Sequence, residues 1–467
     1  MNSSFIRVHL RFRLSWLGIL LLGPSAFALG PHEILLLANR NSPRSMELAR
    51  DYAALRHVPD PNIVALDLPA PCPLELSPDE FTRRILEPAL RQCRERGLEN
   101  HILAWVYSVD FPIRITASPP LSIQGITFLR GRLPGKEAVE KATYTSPLFA
   151  GPDAPTATGF PSQSLDVQRA WIGKGIPLPS MMLGFMGPHG NSREDIMACL
   201  TNGTRADKTR PDGWVCLVTN TDVRSLCRQW EFAPAARELE ALGVRTVITN
   251  AFPQSGSIRP DGSNGLIGLM GGAADIPGLS EGPLPFRPGA MADHLTSFGA
   301  AFEHDDQTKI SAWITAGATA TAGTVTEPMS LWAKFPNARL FVHPVAGCTL
   351  LESYYQAIRC PLQILIIGDP LASPWAPVST LTLEGLPGGL LSERRTITAA
   401  VRVHNNEFFN RFLFLLDGKP FQAAGKTAEV TLDPATLKPG RHQLRVVAST
   451  VGSVRSQIFS ESEFEVK

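Results

Sequence analysis

The chain has no excess of charge of either sign: 44 Lys and Arg residues stand against 43 Asp and Glu over 467 residues. A protein that grips a nucleic-acid backbone normally shows a basic excess, so nucleic acid is not an expected partner. After the first residues no long apolar run occurs, which excludes a transmembrane helix once the N-terminal segment is removed. None of the seven cysteines sits in a C-x-x-C pair and no H-x-x-x-H pair exists, so no metal and no cofactor is expected. Glycine and proline are plentiful, at 38 and 40, yet no stretch is monotonous enough to be a disordered tract. The familiar nucleotide and hydrolase motifs are missing too. Residues 131–137 (GRLPGKE) are one residue short of a P-loop and lack its hydroxyl, Gly265, Gly268 and Gly271 recur every three residues, and no G-x-S-x-G elbow occurs.

What is present begins with an export signal. Arg7, Arg11 and Arg13 precede the apolar stretch 14–22, and Ala26-Phe27-Ala28 forms an A-x-A site, so residues 1–28 are expected to be removed. An uncleaved N-terminal anchor is the alternative. The mature chain is then exported, to the periplasm or the cell surface. Export permits disulfides, with Cys348–Cys360 and Cys72–Cys93 the nearest candidate bridges and buried free thiols an equal alternative. At the other end, residues 461–467 are polar, without the hydrophobic tail and basic end of a sorting signal.

From residue 29 to 377 short apolar runs alternate with amphipathic stretches. Strands are expected at 33–38, 62–68, 101–107, 181–186, 214–219, 244–249, 266–270, 316–325 and 362–367, with helices between them at 45–56, 78–96, 193–201 and 231–242. That rhythm predicts an α/β domain with a mostly parallel sheet flanked by helices. Residues 116–179 interrupt it as an irregular, Pro-, Gly- and Thr-rich insertion. Residues 379–467 change character: at least five alternating or apolar runs separated by turns such as Asp417-Gly418 predict an all-β sandwich of immunoglobulin-like kind.

Open α/β sheets bind ligands beyond the carboxyl ends of their strands. The strand at 362–367 closes on Gly368-Asp369-Pro370, placing the Asp369 carboxylate at such an end, and Asn220, Asp222 and Arg224 follow the strand at 214–219. Asn39, Ser42 and Ser45 follow the first strand, either lining the same end or capping the first helix. The turn Glu303-His304-Asp305-Asp306 reads as a charged, solvated turn before a helix that begins at Gln307.

The segments Ala38-Asn39-x-x-Ser42-x-x-Ser45, P-G-A-x-x-D-x-L-T-S-F-G (288–299), G-T-V-T-E-P (323–328) and G-D-P-L-A-S-P (368–374) carry a resemblance. The order of a small-residue loop, a helix, the G-A-T-A-T-A-G strand, an aromatic-bearing helix and a strand closing on G-D-P resembles the C-terminal half of caspase-like folds of the gingipain and CHAT type. More closely, residues 33–375 are similar to an uncharacterised family of exported bacterial proteins associated with exosortase systems. The resemblance implies a caspase-like strand order with the loops after the strands at 266, 316 and 362 meeting at one edge, and Glu327 beside the pocket.

It also shows what is absent. An active peptidase of this type needs a histidine after one strand and a cysteine after the next, because an imidazole must reach a thiol to activate it. Here the first position holds Gly271-Gly272 and the second Ala292-Asp293-His294-Leu295-Thr296-Ser297. A pseudoenzyme that binds a peptide or glycan among exported-protein sorting components is therefore the expectation, with Asn39, Ser42, Asp222, Asp293, Glu327 and Asp369 as binding residues. The alternative is a non-cysteine hydrolase with Ser297 as nucleophile, His294 as base and Asp293 or Asp369 orienting the ring. Asp293, Thr296 and Ser297 read equally as turn-capping groups.

Overall fold

The computed structural model describes residues 26–173, 177–254, 265–276, 278–279, 282–386, 388–405 and 407–467. All but the last three residues of the expected export signal lie outside them.

Runs such as Ile364–Gly368, apolar at successive positions, need both faces covered, and this is where the chain builds its main sheet. Its ten strands are β1 (Ile34–Asn39), β2 (Ile63–Leu66), β3 (Ala104–Tyr107), β4 (Ser180–Met182), β5 (Trp214–Val218), β6 (Arg245–Thr249), β7 (Leu266–Gly272), β8 (Phe286–Leu295), β9 (Ala320–Thr324) and β10 (Ile364–Gly368). Their spatial order is β6-β5-β7-β8-β9-β10-β4-β3-β1-β2.

Neighbours are parallel throughout except β9 and β10, which run antiparallel with Ala320 opposite Gly368 and Thr324 opposite Ile364. The sheet is thus two parallel halves of opposite direction. This overturns the expectation of one common edge: β7, β8 and β9 end at the edge where β10 begins, and Asp369 lies at the other. Burial on both faces fixes that a run is a strand but says nothing of its direction.

Helices cover both faces. On one lie α1 (Pro43–Arg56), and further along the chain Arg193–Ala206, Phe232–Ala241 and Leu350–Ala357, contributing Leu48, Tyr52, Leu200, Phe232, Leu239 and Tyr354 to the largest core. On the other lie α2 (Glu87–Glu95) and α3 (Ile123–Phe128), burying Ala89, Cys93, Ile123 and Ile126 with Ile310 and Ile314. Local signals start and stop these helices. Ser42 caps α1 by accepting from the Ser45 amide at 3.2 Å, Pro43 occupies its first turn, and His57 ends it in the left-handed region at φ 55°.

The segment 116–179 is less irregular than its composition suggests. It holds α3 and α4 (Leu165–Ile172), and α3 docks on β10 through Gln124, whose amide exchanges two 2.8 Å hydrogen bonds with the backbone of Ile366. Gly125 permits that approach, since a Cβ there would lie 2.1 Å from the Leu362 carbonyl oxygen.

The C-terminal part contains no α-helix among the described residues. Its strands are β11 (Thr380–Glu384), β12 (Gly389–Leu390), β13 (Arg395–Arg402), β14 (Phe409–Leu416), β15 (Lys419–Gly425), β16 (Glu429–Leu432), β17 (Gly440–Thr450) and β18 (Gln457–Val466). They form a three-stranded antiparallel sheet, β11-β13-β16, and a larger sheet in the order β18-β17-β14-β15; the pair Ala26–Phe27 adds antiparallel to β18 and β12 adds parallel to it. Ile397 and Leu432 from the first sheet meet Phe414, Val446 and Phe464 from the second in one core.

The opposite face of the larger sheet packs on the α/β part, where Leu415, Val447 and Phe459 join the main core. Arg445 fixes this junction, donating to the His57 carbonyl at 2.6 Å and to Glu461 at 2.7 Å. The Asp417-Gly418 turn also abuts it: Gly418 has φ 75°, and a Cβ there would meet Pro59 at 2.7 Å. All seven cysteines are free thiols, five of them buried.

Candidate functional site

The polar residues expected at one edge fall on two, and each is already engaged by the chain. At the edge where β1 and β10 end, Asn39 is buried. Its amide donates to the carbonyls of Pro69 (3.0 Å) and Asp110 (3.2 Å), and its carbonyl accepts from the Asn41 amide, so it ties three loops together. Ser42 caps α1 and also donates to Asp110, which Arg44 clasps with both arms of its guanidinium.

Asp369, fully buried, accepts from Tyr52 at 3.0 Å, from the Leu371 amide at 3.1 Å and from Arg56, whose other arm holds Asp207. Gly203 makes room for the carboxylate, since a Cβ there would stand 2.1 Å from its Oδ2. These contacts make a closed structural clamp.

At the other edge, Asp222 caps the turn after β5, accepting from the Arg224 amide at 2.9 Å and from its guanidinium at 3.1 Å. Glu327 is exposed and caps its own loop through the Met329 amide at 2.7 Å. Asp293 sits inside β8, opposite Met270 and Ala322, with Arg228 at 2.5 Å. Burial pushes its carboxyl up, and Arg228 opposes that shift. The same guanidinium donates to the Pro336 and Gly271 carbonyls, so this pair locks β7 and β8 to the segment after β9.

His294 is buried and both ring nitrogens are occupied. Trp313 Nε1 donates to Nδ1 at 2.7 Å, and Nε2 donates to the Thr308 carbonyl at 3.0 Å. That fixes the neutral tautomer, and burial depresses the ring to about 3. A general base needs a free lone pair directed at its nucleophile, and this ring has none to offer. No hydrogen bond joins it to Ser297, which is half-buried and contributes its carbonyl to the Thr324 hydroxyl at 2.9 Å. Neither Asp293 nor Asp369 touches the ring. The chain therefore does not assemble the serine–histidine arrangement that was the alternative reading.

A sizeable opening lies elsewhere. A cleft of about 940 Å³ separates the edge where β1 and β3 begin from the face of β14, β15 and β17. His32 and His101 line it, their rings 5.1 Å apart. Nδ1 of His32 and Nε2 of His101 have no hydrogen-bond partner among the described residues. Burial holds His32 well below the ordinary histidine range. Burial and then Arg169 bring His101 to about 4.

Beside them Glu33 is buried, accepting from the Gly30 amide at 2.9 Å and from Gln457 at 2.8 Å, and burial raises its carboxyl to about 8. Five arginines surround these groups: Arg130 and Arg132 after α3, Arg169 on α4, Arg411 on β14 and Arg455 before β18. Arg455 pairs with Asp166 at 3.0 Å. Burial and then the neighbouring Arg169 and Arg132 lower Arg130, the mark of a crowded positive cluster. The sequence gives no warning of this site. Its residues come from segments more than four hundred positions apart, and each arginine alone reads as solvated surface.

Among the described residues no group of three His, Cys, Asp or Glu side chains is placed to hold a metal ion, and no helix is long and apolar enough to cross a membrane. No protein-family model matches the chain, and no curated protein matches it. Among solved structures, the chain is similar to the fibronectin(III)-like modules of Clostridium thermocellum CbhA. The likeness has a TM-score of 0.16 and 20% identity over 19% of this chain and 97% of that one, and at that score it carries no inference.

Proposed function

We propose that this is an exported binding protein without peptidase activity: a caspase-like core joined to an immunoglobulin-like β-sandwich, holding a peptide or glycan in a sorting or maturation system for exported proteins. The two facing sheets of the C-terminal part are compatible with the sandwich; the caspase-like reading rests on the sequence resemblance, since β10 leads into a second parallel half and places Asp369 at the edge opposite the ends of β7, β8 and β9. The link to exosortase systems rests on the sequence resemblance alone.

One observation carries the absence of catalysis: His294 spends both nitrogens on Trp313 and Thr308, while Gly271-Gly272 and the 292–297 loop supply neither the histidine nor the cysteine of a peptidase dyad. Binding then belongs to the cleft, which has the size of a ligand site.

The test is activity-based labelling. The exported protein, treated with a fluorophosphonate probe and incubated with peptide and ester substrates, is expected to show no adduct and no hydrolysis above the blank. An adduct on Ser297 that disappears in His294→Ala would instead establish the hydrolase. N-terminal sequencing of the same material is expected to begin at Leu29 or within a few residues of it; a chain still starting at Met1 and retained in membranes would refute export by cleavage.

A further inference from the structure

We propose that the cleft recognises an extended peptide segment of a partner protein bearing at least two Asp or Glu side chains. This rests on the non-catalytic binding reading and narrows its ligand.

The charge is the first argument. Elsewhere in the fold buried arginines are matched: Arg56 with Asp207 and Asp369, Arg228 with Asp293, Arg445 with Glu461. In the cleft the matching is incomplete. Arg455 takes Asp166, but the side chains of Arg132, Arg169 and Arg411 make no hydrogen bond or ion pair among the described residues. Glu33 is already satisfied by an amide N–H and by Gln457. Arg132 and Arg411 are exposed and Arg169 half-buried, and the carboxylates that share the lining, Glu33, Glu99 and Asp166, form no ion pair with them among the described residues; guanidinium forks left unpaired around one opening are complementary to carboxylates brought from outside.

The unpartnered nitrogens are the second argument. His32 is 1% exposed and lines the cleft, yet its Nδ1 bonds to nothing among the described residues. A buried polar atom without a partner is costly; several occur in the fold, and Nδ1 of His32, Nε2 of His101 and Oε1 of Gln457 are ones whose residues line this cleft. A backbone amide or a carboxyl proton from a ligand would satisfy Nδ1 of His32.

The lining of the cleft selects a peptide. No Phe, Tyr or Trp lines the cleft among the described residues, so a sugar ring or a base finds no aromatic platform. What borders it instead is β15, the terminal strand of the larger sheet, which pairs with β14 on one side and contributes Pro420, Ala423 and Ala424 to the lining. An edge strand presents free backbone donors and acceptors, and an extended chain laid along it gains ladder hydrogen bonds while its alternate side chains reach one way, here toward Arg169 and Arg411.

The experiment is calorimetric titration of the full exported protein at low salt with a ten-residue peptide alternating Asp and Ala, its Asn counterpart and an oligogalacturonate of similar charge. The Asp peptide is expected to bind, with an affinity that falls as salt is added, and the Asn peptide is not. Arg169→Gln with Arg411→Gln is expected to weaken binding by about tenfold or more at an unchanged melting temperature. Equal binding of the Asp and Asn peptides, or an unaffected double variant, would overturn the acidic-ligand site, and binding of the oligogalacturonate in preference to the peptide would overturn the peptide assignment. Mass spectrometry of the recovered peptide separates the two levels: intact but unbound peptide defeats the cleft proposal alone, whereas cleaved peptide defeats the non-catalytic reading.

Discussion

Two polar regions of this molecule, one buried and one open to solvent, contrast in how their groups are satisfied. Around β8 and the end of β10, Asp293 is paired in charge with Arg228, though neither of its oxygens accepts a hydrogen bond among the described residues, His294 is held by Trp313 and Thr308, and Asp369 by Tyr52 and Arg56. In the cleft, Nδ1 of His32, Nε2 of His101 and the guanidinium groups of Arg169 and Arg411 have no hydrogen-bond or ion-pair partner among the described residues. Residue type alone makes the first region look the more catalytic, with its Asp, His and Ser close in sequence. The geometry reverses that ranking, because chemistry requires a lone pair or a charge that the fold has left unspent.

The contrast is sharpest in stability. Asp293→Ala leaves Arg228 buried without its carboxylate and is expected to cost about 3–5 kcal/mol in denaturant unfolding. Arg411→Ala, at an exposed position of the cleft, is expected to change stability by no more than about 0.5 kcal/mol. Comparable losses for the two would erase the distinction drawn between the regions.

A smaller effect is expected from Gly203→Ala. The new methyl would intrude on Asp369, and overpacking of this kind costs about 1–3 kcal/mol. A neutral result would mean that the Asp369 clamp is looser than its hydrogen bonds imply.

The cleft has its own signature in pH. Glu33 is raised to about 8 by burial, so between the ordinary glutamate range and pH 8 the native state keeps a proton that the unfolded state has lost. Its contribution to stability is therefore full at acid pH and declines as pH rises through about 8. The melting temperature of the parent should fall relative to Glu33→Gln as the pH is raised from 5 to 8; a constant difference between them would show that Glu33 ionises normally. Least affected should be Ser297→Ala, within about 0.5 kcal/mol, since no hydrogen bond to its hydroxyl links it to His294.

Much of the fold is legible in the sequence, and its gaps have physical causes. Apolar runs such as residues 34–38 and 362–367 announce strands because burial on both faces leaves no polar period. The reversal between β9 and β10 is invisible for the same reason. The strand Lys419–Gly425 escapes notice because Ala423-Ala424-Gly425 carries little strand preference, and pairing with β14 decides it. At the expected site, Asn39, Ser42 and Asp222 were recognisable as polar groups after strands. Only coordinates show that loop ties and helix caps consume them. The cleft needs six distant segments brought together, which no local pattern encodes.

The most direct measurement is the 15N spectrum of the histidine rings, assigned by single substitutions, recorded across pH and then with the Asp peptide added. The account predicts that His294 stays neutral and protonated on Nε2 from pH 4 to 9 and ignores the peptide, while the resonances of His32 and His101 shift on its addition. A His294 that titrates near 6.5, or cleft histidines that do not respond to a peptide shown to bind, would contradict it.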